Sequence, residues 1–214
     1  MGMYTMGPPE ALVLALQKQL GIDEFIETGT YHGGTAAWAG RQFARVATIE
    51  LSPKYHAAAV AKFQSQPHIR ALCGGSVAVL GEVIPALSAP ALFWLDAHWS
   101  GFDTAGQEAE CPVLEEIALL NASPRDHVVL VDDARLFCAP PPRPHRADQW
   151  PDLATVTNAL VAGGRRHVVM TDDVFVAVPA AAKNFLTNWL QDAPPRQTPP
   201  PPSLLRRVLN RLRA

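Results

Sequence analysis

The sequence predicts an α/β protein built on a doubly wound, mainly parallel sheet. Three observations carry that prediction. Four apolar, strand-like runs end near Glu27, Glu50, Cys73 and Asp96, a repeat of 23 residues each time, about the length of one strand–helix unit. A fifth run, HVVLVDD, is almost purely β-branched or aliphatic until two acids stop it, the pattern of a central parallel strand buried on both faces. Finally, RHVVMTDDVFVAVP sets two apolar runs around Thr171, Asp172 and Asp173. That is a β-hairpin pattern, so the sheet is expected to finish with an antiparallel pair.

Taken in order, the chain first carries ALVLAL at 11–16. It is too short to span a bilayer, no basic run precedes it, and Gln17, Lys18 and Gln19 follow at once. FIETGTYHGGTAAW, residues 25–38, reads as a buried strand that ends in an acid, breaks into glycines and restarts as a helix. SPKYHAAAVAKF is a short amphipathic helix with a Ser N-cap and Pro in its first turn. In ECPVLEEIALL, Glu110, Glu115 and Glu116 read as a helix start and a solvated face. CAPPPRPHRADQWP is too long for a mere connector and is expected to form a substrate wall or lid, with Arg143, His145 and Arg146 as contacts for an acidic substrate. A helix is expected at about 152–162.

The last stretch divides off. PPRQTPPPP reads as a stiff, extended linker. SLLRRVLNRLRA then sets Leu204, Leu205, Val208, Leu209 and Leu212 on one helical face, with Arg206, Arg207, Arg211 and Arg213 opposite or beside it. Such a basic amphipathic tail lies on an anionic membrane, docks on a partner, or packs on its own domain. The expected division is a main domain over 1–190 and a linker with tail over 191–214.

Composition narrows the classes. At 214 residues, 48% hydrophobic and 18% charged, the chain can bury one sizeable core. A net charge of -2 argues against nucleic acid as a partner of the whole surface. Three cysteines without a CxxC pair argue against a disulfide framework or a cysteine zinc site and fit a reducing, cytoplasmic setting, with the inner membrane face as the place where residues 203–214 would act.

In open α/β sheets, ligands bind at the carboxyl ends of the strands, where strand order reverses. Glu27, Glu50, Asp96 and Asp132 all fall at such ends. A dinucleotide fingerprint needs a second glycine to clear the pyrophosphate, and Tyr31 stands there instead; there is no GxxxxGK[ST] loop either. What remains is a nucleoside without pyrophosphate, and S-adenosylmethionine fits it. Glu50 would accept from a ribose diol, Glu27 would favour the sulfonium, and the helix start at Gly33 to Thr35 would favour the carboxylate. Thr28, Gly29, Tyr31, Gly74, Ser76 and Asp96 complete the cofactor-binding candidates, with His32 as a further cover.

A second constellation carries chemistry. Asp96 ends the fourth strand, and Asp132 with Asp133 ends the fifth. Neighbouring strands lie about 4.8 Å apart, so these carboxylates could share one cation. Oxygen donors without Cys or clustered His select a hard ion, Mg²⁺; the alternative is that Asp132 and Asp133 cap a turn. His98 follows Asp96 by two residues, so on extended chain it faces the same cleft and can take the proton from an attacking hydroxyl. Trp94 reads as core, Trp99 as a surface for stacking on a sugar, and Arg135 as a neutraliser of the acid pair or a contact for an anionic substrate.

FIETGTYHGGT, TIELS, FWLDAHWSG and VVLVDDARLF, in this order and spacing, together resemble class I S-adenosylmethionine-dependent methyltransferases. Within them the chain is most similar to the metal-dependent sugar O-methyltransferases of macrolide and aminocoumarin biosynthesis and to relatives found with bacterial polysaccharide genes. The resemblance covers about residues 20–180. It implies a Rossmann-like, seven-stranded sheet, an ion held by acids matching Asp96, Asp132 and Asp133, a base matching His98, and a small sugar or glycan acceptor. The chain departs from the family at Gly75, where an acid usually holds the adenine amino group, and it has no counterpart of the antibiotic enzymes' N-terminal extension. Two other readings stay open: a methyltransferase that works without metal, and a non-catalytic nucleoside-binding module recruited by its basic tail.

Overall fold

A computed structural model of the chain describes residues 7–101 and 104–193. In order, the elements are α1 (Glu10–Leu20), β1 (Glu24–Thr28), α2 (Gly34–Ala39), β2 (Arg45–Glu50), α3 (Pro53–Phe63), β3 (Ile69–Cys73), α4 (Ser76–Ala86), β4 (Leu92–Leu95), α5 (Val113–Ala122), β5 (Val128–Val131), α6 (Arg135–Cys138), α7 (Leu153–Val161), β6 (Arg166–Thr171), β7 (Val174–Pro179) and α8 (Lys183–Asp192). The seven strands form one sheet in the order β3-β2-β1-β4-β5-β7-β6. β1 to β5 pair in parallel, while β7 runs antiparallel to both β5 and β6. The expected α/β, doubly wound sheet with a terminal hairpin is the one observed.

Alternation along each strand feeds two cores. Phe25, Val46, Leu92, Trp94, Val128 and Leu130 face one side, packed under α1, α2, α3 and α8. Ile26, Ala47, Ile49, Phe93, Leu95, Val129 and Val131 face the other, under α4, α5 and α7. Burial on both faces is why the central strands read as unbroken apolar runs rather than as alternating ones. Leu12, Val13 and Leu16 of ALVLAL are fully buried in α1, so that segment is a core helix. Among the described residues no helix is long and apolar enough to cross a membrane.

One sequence expectation needs correction here. Glu110 and Glu116 are not on a solvated face: each is 1% exposed, while Glu115 alone is exposed. Ser52 stands at the N-cap of α3 without a side-chain cap bond; the Glu50 carboxylate accepts from the Ser52 backbone N–H instead. The domain boundary expected at 190 falls inside α8, which runs to Asp192. Residues 194–214, with the predicted amphipathic tail, lie outside the described residues.

Candidate active site

Strand order reverses between β1 and β4, so two adjacent parallel strands send their chains to opposite sides at this point. The crevice opens at their carboxyl ends, as the rule for such sheets requires. Here lies a cavity of about 1520 Å³. Glu27, Gly29, Tyr31, Thr35, Glu50, Gly74 and Ser76 line it together with Asp96, His98, Asp132 and Asp133. The tertiary structure thus gathers both predicted constellations into one space. Thr28 and Gly33 are not brought to it. Thr28 is buried, and its hydroxyl accepts from the Asp96 backbone N–H at 3.2 Å. Gly33 is packed against the Phe63 ring, which a Cβ would meet at 3.0 Å.

The glycine break has a backbone cause as well as any ligand cause. Gly29 has φ +85°, and a Cβ on it would lie 2.0 Å from the Asp96 carbonyl oxygen. Here glycine is demanded by the neighbouring strand end. Gly34, at the first turn of α2, has nothing within 4 Å of a Cβ position, so backbone is bare toward the cavity there. The turn between Gly29 and Gly34 is held from two sides. Glu50 accepts from the Tyr31 N–H at 2.8 Å, and Lys62 Nζ donates to the His32 and Gly33 carbonyls, both at 2.8 Å. Tyr31 takes a left-handed φ of 46°, half-exposed, with its ring against His32 and Tyr55.

Glu27 is 2% exposed and accepts from the Thr48 hydroxyl at 2.6 Å, which in turn bonds Thr30 at 2.6 Å. Burial pushes its carboxyl up to about 8, with Asp96 and Glu50 adding to the rise against the opposing bonds from Thr48 and Thr35. A buried acid in a cleft with so perturbed a carboxyl is a candidate functional group.

On the other flank, Asp96 and Asp132 follow paired residues Leu95 and Val131, so they stand side by side at the ends of β4 and β5. Burial raises both carboxyls; Asp133 adds to the rise of each, Asp96 adds to that of Asp132, and His98 opposes both. Asp133 behaves oppositely. Burial works against its charge, but His98 and Arg135 outweigh it and hold the carboxyl below its ordinary value. His98, its side chain 8% exposed, places Nε2 2.9 Å from Asp133 Oδ2 and Nδ1 3.6 Å from Asp96 Oδ1. Since Asp133 is an acceptor, Nε2 carries the hydrogen, and Nδ1 is left as the basic nitrogen. Burial disfavours the imidazolium, yet the bond to Asp133 and the charges of Asp96, Asp133 and Asp132 prevail, so its pKa lies above the ordinary value.

Whether these acids fit a metal can be judged from their partners. Among the described residues no three His, Cys, Asp or Glu side chains are arranged to hold an ion. Asp133 is turned to His98 and Arg135, and Asp132 Oδ1 accepts from the Asp133 N–H at 2.7 Å. Asp96 and Asp132 remain as hard oxygen donors whose crowding a cation would relieve. One or two carboxylates commonly suffice for Mg²⁺, which keeps several waters.

The proline-rich loop, expected as a substrate wall, contributes no lining residue to the cavity; it packs behind His98, pinned by the buried Glu110. Glu110 accepts from Trp150 Nε1 at 2.8 Å and from the Arg146 N–H at 3.0 Å, and lies 3.3 Å from His145 Nδ1. Trp150 packs against His98, ring centroids 5.4 Å apart. Trp99, expected to stack on a sugar, is 6% exposed and packs edge-on to His145. Arg146 spends its guanidinium on Asp148. Three residues here escaped sequence reasoning. Glu110 and Glu116 look like any surface acid of a helix start, and Thr48 is one of several threonines in strands; only a burial prediction would have raised them. Glu116 lies beneath the site, raised to about 7 by burial against bonds to Ser76 and Thr28.

No family model matches the chain, and no curated protein does. Solved structures do. A candidate O-methyltransferase from Klebsiella pneumoniae is 14% identical, with 82% of each chain covered and a TM-score of 0.56. An SAH-bound methyltransferase from Podospora anserina is 18% identical over 82% of this chain and 80% of its own, with a TM-score of 0.55. A candidate caffeoyl-CoA O-methyltransferase from Staphylococcus aureus is 14% identical over 84% and 86%, again with a TM-score of 0.55. At these identities the likeness is one of fold: the seven-stranded, Rossmann-like methyltransferase sheet.

Proposed function

We propose that this protein is an S-adenosylmethionine-dependent O-methyltransferase acting on a small hydroxyl-bearing acceptor, with His98 as the base. One observation carries the reading: a single cavity joins the Glu27–Glu50 flank to the His98–Asp96–Asp132–Asp133 flank across the switch point. Its volume of about 1520 Å³ exceeds the roughly 300–1,000 Å³ of a one-ligand pocket, so a cofactor and an acceptor fit side by side. The SAH-bound Podospora anserina neighbour shares the fold, which supports the cofactor.

The chemistry then follows from the residues. Glu27 faces the sulfonium, Gly34 and Thr35 at the start of α2 border the carboxylate side, and Gly74 and Ser76 border the adenine side. Glu50, both oxygens engaged by backbone N–H groups, braces the Tyr31 turn and keeps lone pairs for a ribose hydroxyl. The acceptor oxygen attacks the methyl carbon in line; the C–O bond forms as the C–S bond breaks, leaving a neutral thioether. The hydroxyl proton passes to His98 Nδ1, while Asp133 holds the opposite nitrogen and fixes the tautomer. Alignment supplies most of the acceleration.

A magnesium ion, if used, would be held by Asp96 and Asp132 beside Asp133, and it would make the bound hydroxyl more acidic. The commitment of Asp133 to His98 and Arg135 supports a second reading, in which His98 works without metal. A sugar or glycan as acceptor rests on the resemblance of the sequence motifs, and a role for residues 203–214 at a membrane rests on their pattern.

Calorimetry with S-adenosylmethionine and S-adenosylhomocysteine, followed by mass analysis of products from a panel of sugar hydroxyl acceptors, tests the reading. Binding of both with methyl transfer to oxygen is expected. Absence of binding by either removes the enzyme assignment, and binding without any transfer favours the non-catalytic module. Exhaustive chelation then separates the metal-assisted and metal-free forms.

A further inference from the structure

The base of the proposed reaction is held by a chain of contacts that ends on a residue outside the cavity's lining. Asp133 Oδ2 meets His98 Nε2 at 2.9 Å, and its other oxygen is paired to Arg135. Arg135 lines the cavity, and its guanidinium also pairs with Asp173. Asp173 belongs to the two-residue turn joining β6 to β7, where Thr171 and Val174 close the ladder. It secures the same segment by backbone as well. Its Oδ1 accepts from the Arg135 N–H at 2.7 Å, and its carbonyl accepts from the Ala134 N–H at 2.7 Å. Three bonds therefore tie this turn to the loop after β5.

The backbone is built for the purpose. Asp172 and Asp173 both sit at left-handed φ, 52° and 64°, as does Asp133 at 55°. A two-residue hairpin turn with both φ positive is a type I′ turn, for which Gly is preferred at the second place. Asp173 stands there instead, with a carboxylate 12% exposed that faces Arg135 rather than water. A glycine would make the turn more cheaply but could not make the pair.

We infer that Asp173 is a positioning residue of the active site: by fixing Arg135 it fixes Asp133, and through Asp133 it fixes the ring of His98. The inference rests on the proposed role of His98, and it accounts for why the terminal hairpin carries an acid at its tip. The alternating charges Asp173, Arg135 and Asp133, with the His98 Nε2–H as the last donor, lock one another's rotamers, since each hydrogen bond to a charged group satisfies a partly buried partner that would otherwise be desolvated alone.

The test is made on the full chain labelled with ¹⁵N-histidine, by following the His98 Nε2–H resonance, assigned by its loss in His98→Gln. Asp173→Asn is the informative variant. Asn tolerates left-handed φ as Asp does and keeps an acceptor for the Arg135 N–H, but it removes the carboxylate from the guanidinium. Solvent exchange of the Nε2 proton, measured well below the melting temperature of each variant, is expected to rise about tenfold or more in Asp173→Asn, approaching its behaviour in Asp133→Asn. Asp126→Asn, which only loosens the exposed pair with Arg165, should leave it as it was. Unaltered exchange in Asp173→Asn beside rapid exchange in Asp133→Asn would overturn the inference. Calorimetry of the wild type with S-adenosylmethionine reports separately on the enzyme reading, so failure of either is told apart from failure of the other.

Discussion

Gly29 and Asp96 meet backbone to backbone: a Cβ on Gly29 would stand 2.0 Å from the Asp96 carbonyl oxygen. The contact joins the two strand ends between which the sheet reverses its order. It makes the floor of the cavity a matter of main chain, with no side chain free to yield.

Gly29→Ala should therefore be severely destabilising, by roughly 3–5 kcal/mol, since strain at φ +85° adds to a clash with atoms that cannot rotate away. Gly21→Ala is the matched control. Its φ is +62°, but nothing lies within 4 Å, so it should cost only about 1 kcal/mol. Urea unfolding of both variants checks the difference; equal midpoints would remove the steric explanation.

Glu27 links cofactor binding to a proton. Held at about 8 by burial, its carboxyl is mostly protonated at pH 7 in the free protein. A sulfonium beside it favours the ionised form, so binding S-adenosylmethionine should release a proton near neutrality. Calorimetry at pH 7 in two buffers of different ionisation enthalpy measures that release. Identical heats would show that Glu27 does not face the cation, and in Glu27→Gln the buffer dependence should vanish.

Glu110 anchors the wall behind His98. Glu110→Ala would leave the Trp150 and Arg146 donors unmet in a buried place, at a cost of roughly 2–4 kcal/mol, and should free the loop from Ala139 to Trp150. Limited proteolysis is the readout: new cleavage within that loop is expected, and a wild-type digestion pattern would mean that the loop is held by other contacts.

His127 sets an acid limit on stability. It is fully buried, with Nδ1 accepting from the Ala91 N–H at 3.1 Å and Nε2 bonded to Ser123 at 2.9 Å. Burial, with Arg166, Arg125 and Arg165 nearby, lowers its pKa to about 4. The unfolded chain takes up a proton at the ordinary value of 6.5, while the folded one refuses it until about 4. Stability from this group is thus whole above pH 6.5 and falls by about 3 kcal/mol as pH drops to 4. Urea midpoints across that range should decline less steeply in His127→Asn; parallel curves would refute the assignment.

How much of this was legible follows from the range of each signal. Strand existence and order of appearance were plain, because burial on both faces writes a local apolar run and a fixed spacing. The acids at strand ends were plain for the same reason: Glu27, Glu50, Asp96 and Asp132 each terminate such a run, and all four line the cavity. Thr28 and Gly33 fall outside the cavity's lining because adjacency in sequence does not say which side of a turn a residue faces.

The chain by itself determined the parallel sheet with its closing hairpin and the edge at which carboxylates would gather, since period and spacing are properties of neighbours in sequence. Only the tertiary structure decided that Glu110 is a buried anchor, that Asp133 serves His98 and that Asp173 reaches Arg135. Those partners stand 35–40 residues apart, and an acid spells the same letter whether its charge meets water or a guanidinium.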